Sequence, residues 1–215
     1  MILGAINLKT IYINFKFLSF KKAIKFPILI SRKVWLKSCS GKIEIIGDIR
    51  SGLIKIGFGE VGIFDKRHSR SILGLYGKIV FNGAANIGHG SKIIVAKDGI
   101  LSLGNKFTIS AESQIICYKK ITFGENCLIS WDNLFMDTDF HKMMDEKDKI
   151  INEPKEITVG NHVWIGCRCL VLKGSVIKDG NIIGANSIVV NELENKNSVY
   201  VGNPVKCVKK NISWI

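Results

Sequence analysis

The chain has four histidines, His68, His89, His141 and His162, and one of them stands where regular sequence gives way to irregular. His141 ends the run Met136-Asp137-Thr138-Asp139-Phe140 and opens a polar stretch, residues 141–158, HKMMDEKDKIINEPKEIT. Imidazole titrates near neutral pH, so it suits the task of taking a proton from a reacting group. A histidine in a loop is also simply a surface residue, and the choice turns on what positions it. Asp137 and Asp139 can orient the ring or bind an acceptor; loop capping by aspartate serves equally well at either position. His162, in G-N-H-V-W, and His89, in G-H-G, read as turn residues. His68 lies in the basic cluster Lys66-Arg67-His68-Ser69-Arg70, which could contact an anionic acceptor. Successive histidines are 21, 52 and 21 residues apart, so no close pair offers a metal site.

The elements that would hold His141 follow from a repeat. Val159, Ile165, Val171, Ile177, Ile183 and Val189 step by six without a slip. Leu103, Ile109 and Ile115 keep the same step, which resumes after a two-residue slip at Phe123, Ile129 and Phe135; Phe81, Ile87 and Ile93 add a shorter run. Six matches neither the 3.6 of a helix nor the alternation of a lone strand. It matches a triangular solenoid in which each hexad is a short strand and a turn, and the aliphatic residue points inward onto its equivalents. The expected class is therefore all-β, a parallel β-helix with stacked coils about 4.8 Å apart.

Three segments break the period. Residues 1–42 show no hexads and form a basic arm or cap: eight cations, Lys9, Lys16, Lys21, Lys22, Lys25, Arg32, Lys33 and Lys37, and no acid before residue 41. Residues 43–194 carry the solenoid, irregular up to residue 80, with residues 141–158 thrown out as a loop of the kind that often carries function. Residues 195–215 leave the period as a turn at Gly202-Asn203-Pro204 and a short basic helix.

Composition limits the alternatives. The net charge is +13 over 215 residues, yet no nucleic-acid-reading motif accompanies it. The longest uncharged stretch, Ile79 to Ser91, is well short of the roughly 18 residues of a membrane span. The six cysteines form no C-x-x-C pair and have mostly aliphatic neighbours, which suits reduced thiols in a cytoplasmic protein. The arm can protect the open end of the solenoid, or its interleaved Phe, Ile, Trp and Lys residues can touch an anionic membrane at its inner face; the two roles are compatible.

Over residues 80–210 the chain resembles the left-handed β-helix, hexapeptide-repeat O-acetyltransferases. The resemblance rests on GENCLISWDNLFMDTDFH (124–141), VGNHVWIGCRCLVLKGSVIKDGNIIGANSIVV (159–190) and VGNPVKCVKK (201–210). These look like maltose, galactoside and bacterial surface-polysaccharide acetyltransferases, and M-D-T-D-x-H most like the last. The resemblance implies left-handed coils and a homotrimer. It implies direct transfer from acetyl-CoA to a carbohydrate hydroxyl, with His141 as general base. By motif, Trp164, Gly166, Cys167, Gly184 and Ala185 line the cofactor groove between subunits, and Lys206 and Lys209 meet the nucleotide phosphates. The position of an asparagine oxyanion donor in some sugar acetyltransferases is Ser110 here, which leaves that donor open. The γ carbonic anhydrase solenoids bind zinc through histidines spaced five apart, a pair this chain lacks. A catalytically silent solenoid binding glycan or membrane is the alternative from another class.

Overall fold

The computed structural model describes residues 6–215. Three sheets, A, B and C, of nine, seven and six strands form the sides of a triangular solenoid, and the chain visits them in turn. Every pairing within them is parallel except the last, in sheet A. The inward residues stack as the hexads require. Ile87, Ile109, Ile129, Ile165 and Ile183 follow one another down sheet A, and Ile93, Ile115, Phe135, Val171 and Val189 down sheet B. Phe81, Leu103, Phe123, Val159 and Ile177 do so down sheet C, and all these residues are buried. Phe123 packs between Phe107 and Phe135, with ring centroids 4.8 and 5.0 Å away. Cys117 and Cys127 join this core; burial pushes their thiols up to about 12 and about 11, so they behave as small hydrophobes.

The outer surfaces of the three sheets differ. Sheet C is polar, with Lys78–Glu44, Lys120–Glu156 and Lys178–Glu192 ion pairs at 2.5, 3.2 and 2.9 Å along it. Sheet B presents Ile116, Leu134, Met136, Leu170, Leu172 and Ile188, all half-buried, and sheet A presents Leu128, Trp164, Ile182 and Val199.

Two boundaries need correction. The solenoid begins before residue 43: Ile28–Ile30 pairs with Ile54–Phe58 in sheet A, and Val34–Cys39 with Ser71–Leu75 in sheet B. These strands escape a hexad search because residues 59–70 are inserted between the sheet A and sheet B strands of one coil and destroy the step. The arm proper is helix α1 (Leu8–Phe17) and the single turn α2 (Phe20–Ala23); its first five residues lie outside the described ones. Nor is the C-terminus a short helix. Val199–Gly202 and Val205–Lys209 form an antiparallel hairpin, because Val199 pairs with Ile182 of the preceding coil and leaves its other edge to be covered.

α1 closes the opposite end. Asn7 caps it, its side-chain oxygen accepting from the Lys9 and Thr10 amides. Asn14 then treats Ile28 as a strand neighbour would: its Nδ2 donates to the Ile28 carbonyl at 2.7 Å, and its Oδ1 accepts the Ile28 amide at 3.1 Å. Thr10 Oγ1 accepts the Ile30 amide at 3.0 Å, and Asn7 Nδ2 donates to the Ile30 carbonyl at 2.7 Å.

Candidate active site

His141 lies at the corner between sheets B and C. In one coil this corner needs only residues 118–119; in the next, residues 137–156 separate Leu134–Met136 from Ile157–Val159. Asp137 starts the excursion by plugging the smaller corner. Its carboxylate accepts the amides of Tyr118, Lys119 and Lys120 at 2.7, 2.8 and 2.8 Å, and the residue is fully buried. The expectation that Asp137 binds substrate is therefore corrected: its oxygens are committed to backbone and closed to an acceptor. Phe140 follows in the left-handed region (φ 62°), with its exposed ring edge-on to Tyr118.

The backbone of His141 is held from both sides. Its amide donates to the Asp139 carbonyl at 2.7 Å, and its carbonyl accepts Asn152 Nδ2 at 2.8 Å. Asn152 also donates to the Asp139 carboxylate at 2.9 Å, and the Lys173 ammonium binds both that carboxylate and the Asn152 carbonyl. The Lys173 hydrogen bond, then that of Asn152, holds the Asp139 carboxyl below the usual carboxylate range. Asp139 thus positions the loop carrying the histidine. The His141 side chain is exposed, and its ring makes no hydrogen bond to a described residue.

The residues expected to line a cofactor groove gather at another corner, between sheets A and B. Ser110, Ser130, Gly166 and Gly184 lie in one column there, each amide donating to the next coil at 2.8 or 2.9 Å. A Cβ on Gly166 would stand 2.7 Å from the Ala185 nitrogen, and one on Gly184 2.5 Å from Val201 Cγ1. Close stacking of coils accounts for both glycines by itself. One residue further on, the amides of Cys167 and Ala185 have no hydrogen-bond partner among the described residues, and Ala185 is exposed. They are two free donors about one coil spacing apart, which suits the amide carbonyls of an extended pantetheine-like chain. Trp164 leans toward this corner, its Nε1 donating to Ser130 Oγ at 3.3 Å. Lys206 and Lys209 are exposed on the terminal hairpin of sheet A, and Lys206 lines a cavity of about 340 Å³ with Val190, Asn191 and Tyr200.

Ser110, Trp164, Gly166, Cys167, Gly184 and Ala185 are thus brought together, with the two lysines further along the same sheet. His141 is not brought to them within one chain, because sheet B separates the two corners.

Several contacts had no sequence signal. Asn152 reaches the His141 backbone across 11 residues of chain, and Lys173 reaches Asp139 across 34. His89 is buried, with Nδ1 2.9 Å from Ser69 Oγ, which in turn bonds the Glu112 carboxylate. Burial pushes the His89 pKa down. This cluster pins residues 59–70 to the solenoid. At the other end, Trp214 stacks on His162 at 4.2 Å, and each donor–acceptor pair closes the clasp: Trp214 Nε1 to the His162 carbonyl at 2.9 Å, His162 Nε2 with the Trp214 carbonyl at 3.0 Å. Among the described residues, no three His, Cys, Asp or Glu side chains are grouped to hold a metal ion.

No protein-family model matches the chain. A polysialic acid O-acetyltransferase of Escherichia coli O1:K1 is 31% identical over 124 residues, 57% of this chain; the match spans only 40% of that relative's length. The crystal structure of a polysialic-acid-specific acetyltransferase superposes with a TM-score of 0.63 at 23% identity, over 87% of this chain and 78% of that one. A galactoside acetyltransferase solved with coenzyme A gives 0.50 at 23% identity, over 61% and 64% of the two chains. The chain thus has the left-handed parallel β-helix fold of the hexapeptide-repeat acetyltransferases and is similar to them in sequence.

Proposed function

We propose that this chain is an acetyl-CoA-dependent O-acetyltransferase acting on a carbohydrate hydroxyl in cytoplasmic steps of bacterial surface-polysaccharide synthesis, with His141 as general base. The observation that carries the reading is the grip on His141: its backbone is fixed through Asp139, Asn152 and Lys173 while its ring is left exposed and unbonded. That is the arrangement a base needs to meet an external hydroxyl. The ring nitrogen takes the acceptor proton as the acceptor oxygen bonds the acetyl carbon; the thioester C–S bond breaks and the imidazolium returns the proton to the departing thiolate, so the protein forms no covalent bond of its own. Acetyl-CoA, when bound, supplies an acetyl group activated as a thioester. The free amides of Cys167 and Ala185 hold its pantetheine arm, Lys206 and Lys209 face its phosphates, and Ser110 offers a hydroxyl donor to the developing oxyanion. Relatives named as polysialic acid and galactoside O-acetyltransferases support a sugar acceptor.

The separation of the two corners supports a homotrimer. In the C-terminal coils sheets A and B both present apolar outer residues while ion pairs run along sheet C, so two unlike faces of each copy seek cover there. A heterologous contact between them closes as a ring, and a ring of three suits a triangular section. For the site to be complete, that ring must set the His141 corner of one copy against the cofactor corner of the next.

The test is release of free thiol from acetyl-CoA across a panel of sugar acceptors. His141→Ala should lower transfer at least ~10²-fold, with acetyl-CoA affinity and unfolding midpoint unchanged. Retained turnover would move the base elsewhere. Absence of both transfer and acetyl-CoA binding in the unaltered chain would make it a non-catalytic solenoid.

A further inference from the structure

Helix α1 has two opposed faces, and their polarity is the reverse of a buried amphipathic helix. Thr10, Ile13 and Asn14 are buried against the first strand, with Phe17 packed beside them. Leu8, Ile11, Tyr12 and Phe15, at i, i+3, i+4 and i+7, face outward and are 84, 40, 47 and 43% exposed. Phe20 and Ile24 continue the stripe at 70 and 50%. Phe15 joins the two parts, with its ring 5.9 Å from Phe20 and 6.2 Å from Phe26. A contiguous apolar patch of this kind on a soluble protein marks an interaction surface.

Lys16, Lys21, Lys22 and Lys25 border the stripe. All four are exposed, and no described acid pairs with any of them. Lys9 is different: its ammonium donates to the carbonyls of Arg32 and Val34 at 2.7 and 2.6 Å, so it belongs to the cap.

We propose that the outer face of α1 and α2 docks on an anionic lipid membrane, with α1 lying in the headgroup plane. Lipid matches both halves of the surface at once. The acyl boundary takes Leu8, Ile11, Phe15 and Phe20, and the lysines reach around them to lipid phosphates. A nucleic acid would match the lysines and leave the apolar stripe in water; a neutral apolar protein partner would leave the lysines without counter-charge. Because Thr10 and Asn14 already complete the first strand, the cap can dock without opening. Docking of this kind is independent of whether His141 transfers acetyl groups.

Co-sedimentation of the full chain with vesicles tests it. The protein should pellet with phosphatidylglycerol–phosphatidylcholine vesicles at low salt, release as salt rises, and stay in solution with phosphatidylcholine alone. Each lysine near such a surface contributes about fivefold, so changing Lys16, Lys21, Lys22 and Lys25 to Gln should weaken binding by two orders of magnitude or more. Ile11→Ser with Phe15→Ser should abolish it with the unfolding midpoint unchanged; if that midpoint falls, the lysine variant, which disturbs nothing buried, decides alone. The proposal is overturned if the unaltered chain stays in the supernatant at low salt, if the lysine changes leave pelleting intact, or if the serine pair instead dissociates an oligomer in light scattering.

Discussion

The two ends of the solenoid close by opposite means. At the C-terminal end a strand folds back, and Val205–Lys209 covers the edge of Val199–Gly202 backbone to backbone. At the N-terminal end a helix covers the edge of Ile28–Ile30, and because the side of a helix offers no spare backbone groups, Asn14, Thr10 and Asn7 supply theirs from side chains. The difference decides what each end has left over. Backbone closure frees side chains, so Lys206 and Lys209 project to solvent beside the candidate cofactor corner. Side-chain closure spends the polar face of α1 inward and turns its apolar face outward.

The sharpest way to break this comparison is Asn14→Ala. It strands the buried amide and carbonyl of Ile28, and each unsatisfied group costs ~1–3 kcal/mol. The expected loss is about 3 kcal/mol in denaturant unfolding, whereas Val208→Ala on the exposed side of the hairpin should stay within about 0.5 kcal/mol. Equal losses at the two ends would remove the distinction. A smaller effect should mark the side chains that the hairpin leaves free. Lys206→Glu with Lys209→Glu should raise the KM for acetyl-CoA about tenfold at low salt, with a diminishing effect as salt screens it. The unfolding midpoint should not move; an unchanged KM would mean that these lysines are merely solvated.

The smallest effect concerns pH and the N-terminal half. Burial lowers the His89 pKa below its ordinary 6.5, so the unfolded chain binds the proton more readily than the folded one. Its contribution is complete above pH 6.5 and is lost as pH falls from there toward the folded value. His89→Gln should flatten the unfolding-versus-pH curve in that window; an identical slope would show that the Ser69–His89–Glu112 cluster is not titrating.

What could be read from the sequence depended on how regular the coils are. Ile165 and Ile183 are a true 18-residue coil apart, and there the hexads located strands, corners and interior. Ile87 to Ile109 takes 22 residues and Ile109 to Ile129 takes 20, since corners such as Ala96–Gly99 lengthen without moving the inward residue. The first strands were hidden by the insertion at 59–70. α1 defied the usual pattern because Asn14 and Thr10 had a better use inside than Leu8, Ile11 and Phe15. His141 was legible as the residue at which coils stop, but its supports were not: Asn152 sits in a loop with no period, and Lys173 reads as one more surface cation. Asp137 was visible as a member of M-D-T-D-x-H, and only the three amides converging on it show that it is a plug.

The position of sheet B between the two candidate corners has a consequence for inheritance of defects. Under the trimer proposed above, a chain never works with both of its own halves. It lends its histidine to one neighbour's reaction and its open amides to another's. Loss of His141 in one copy therefore spoils the site on one side of that copy and spares the other. Two chains damaged at different corners can assemble around one intact site that neither could form alone, so such lesions complement each other instead of adding.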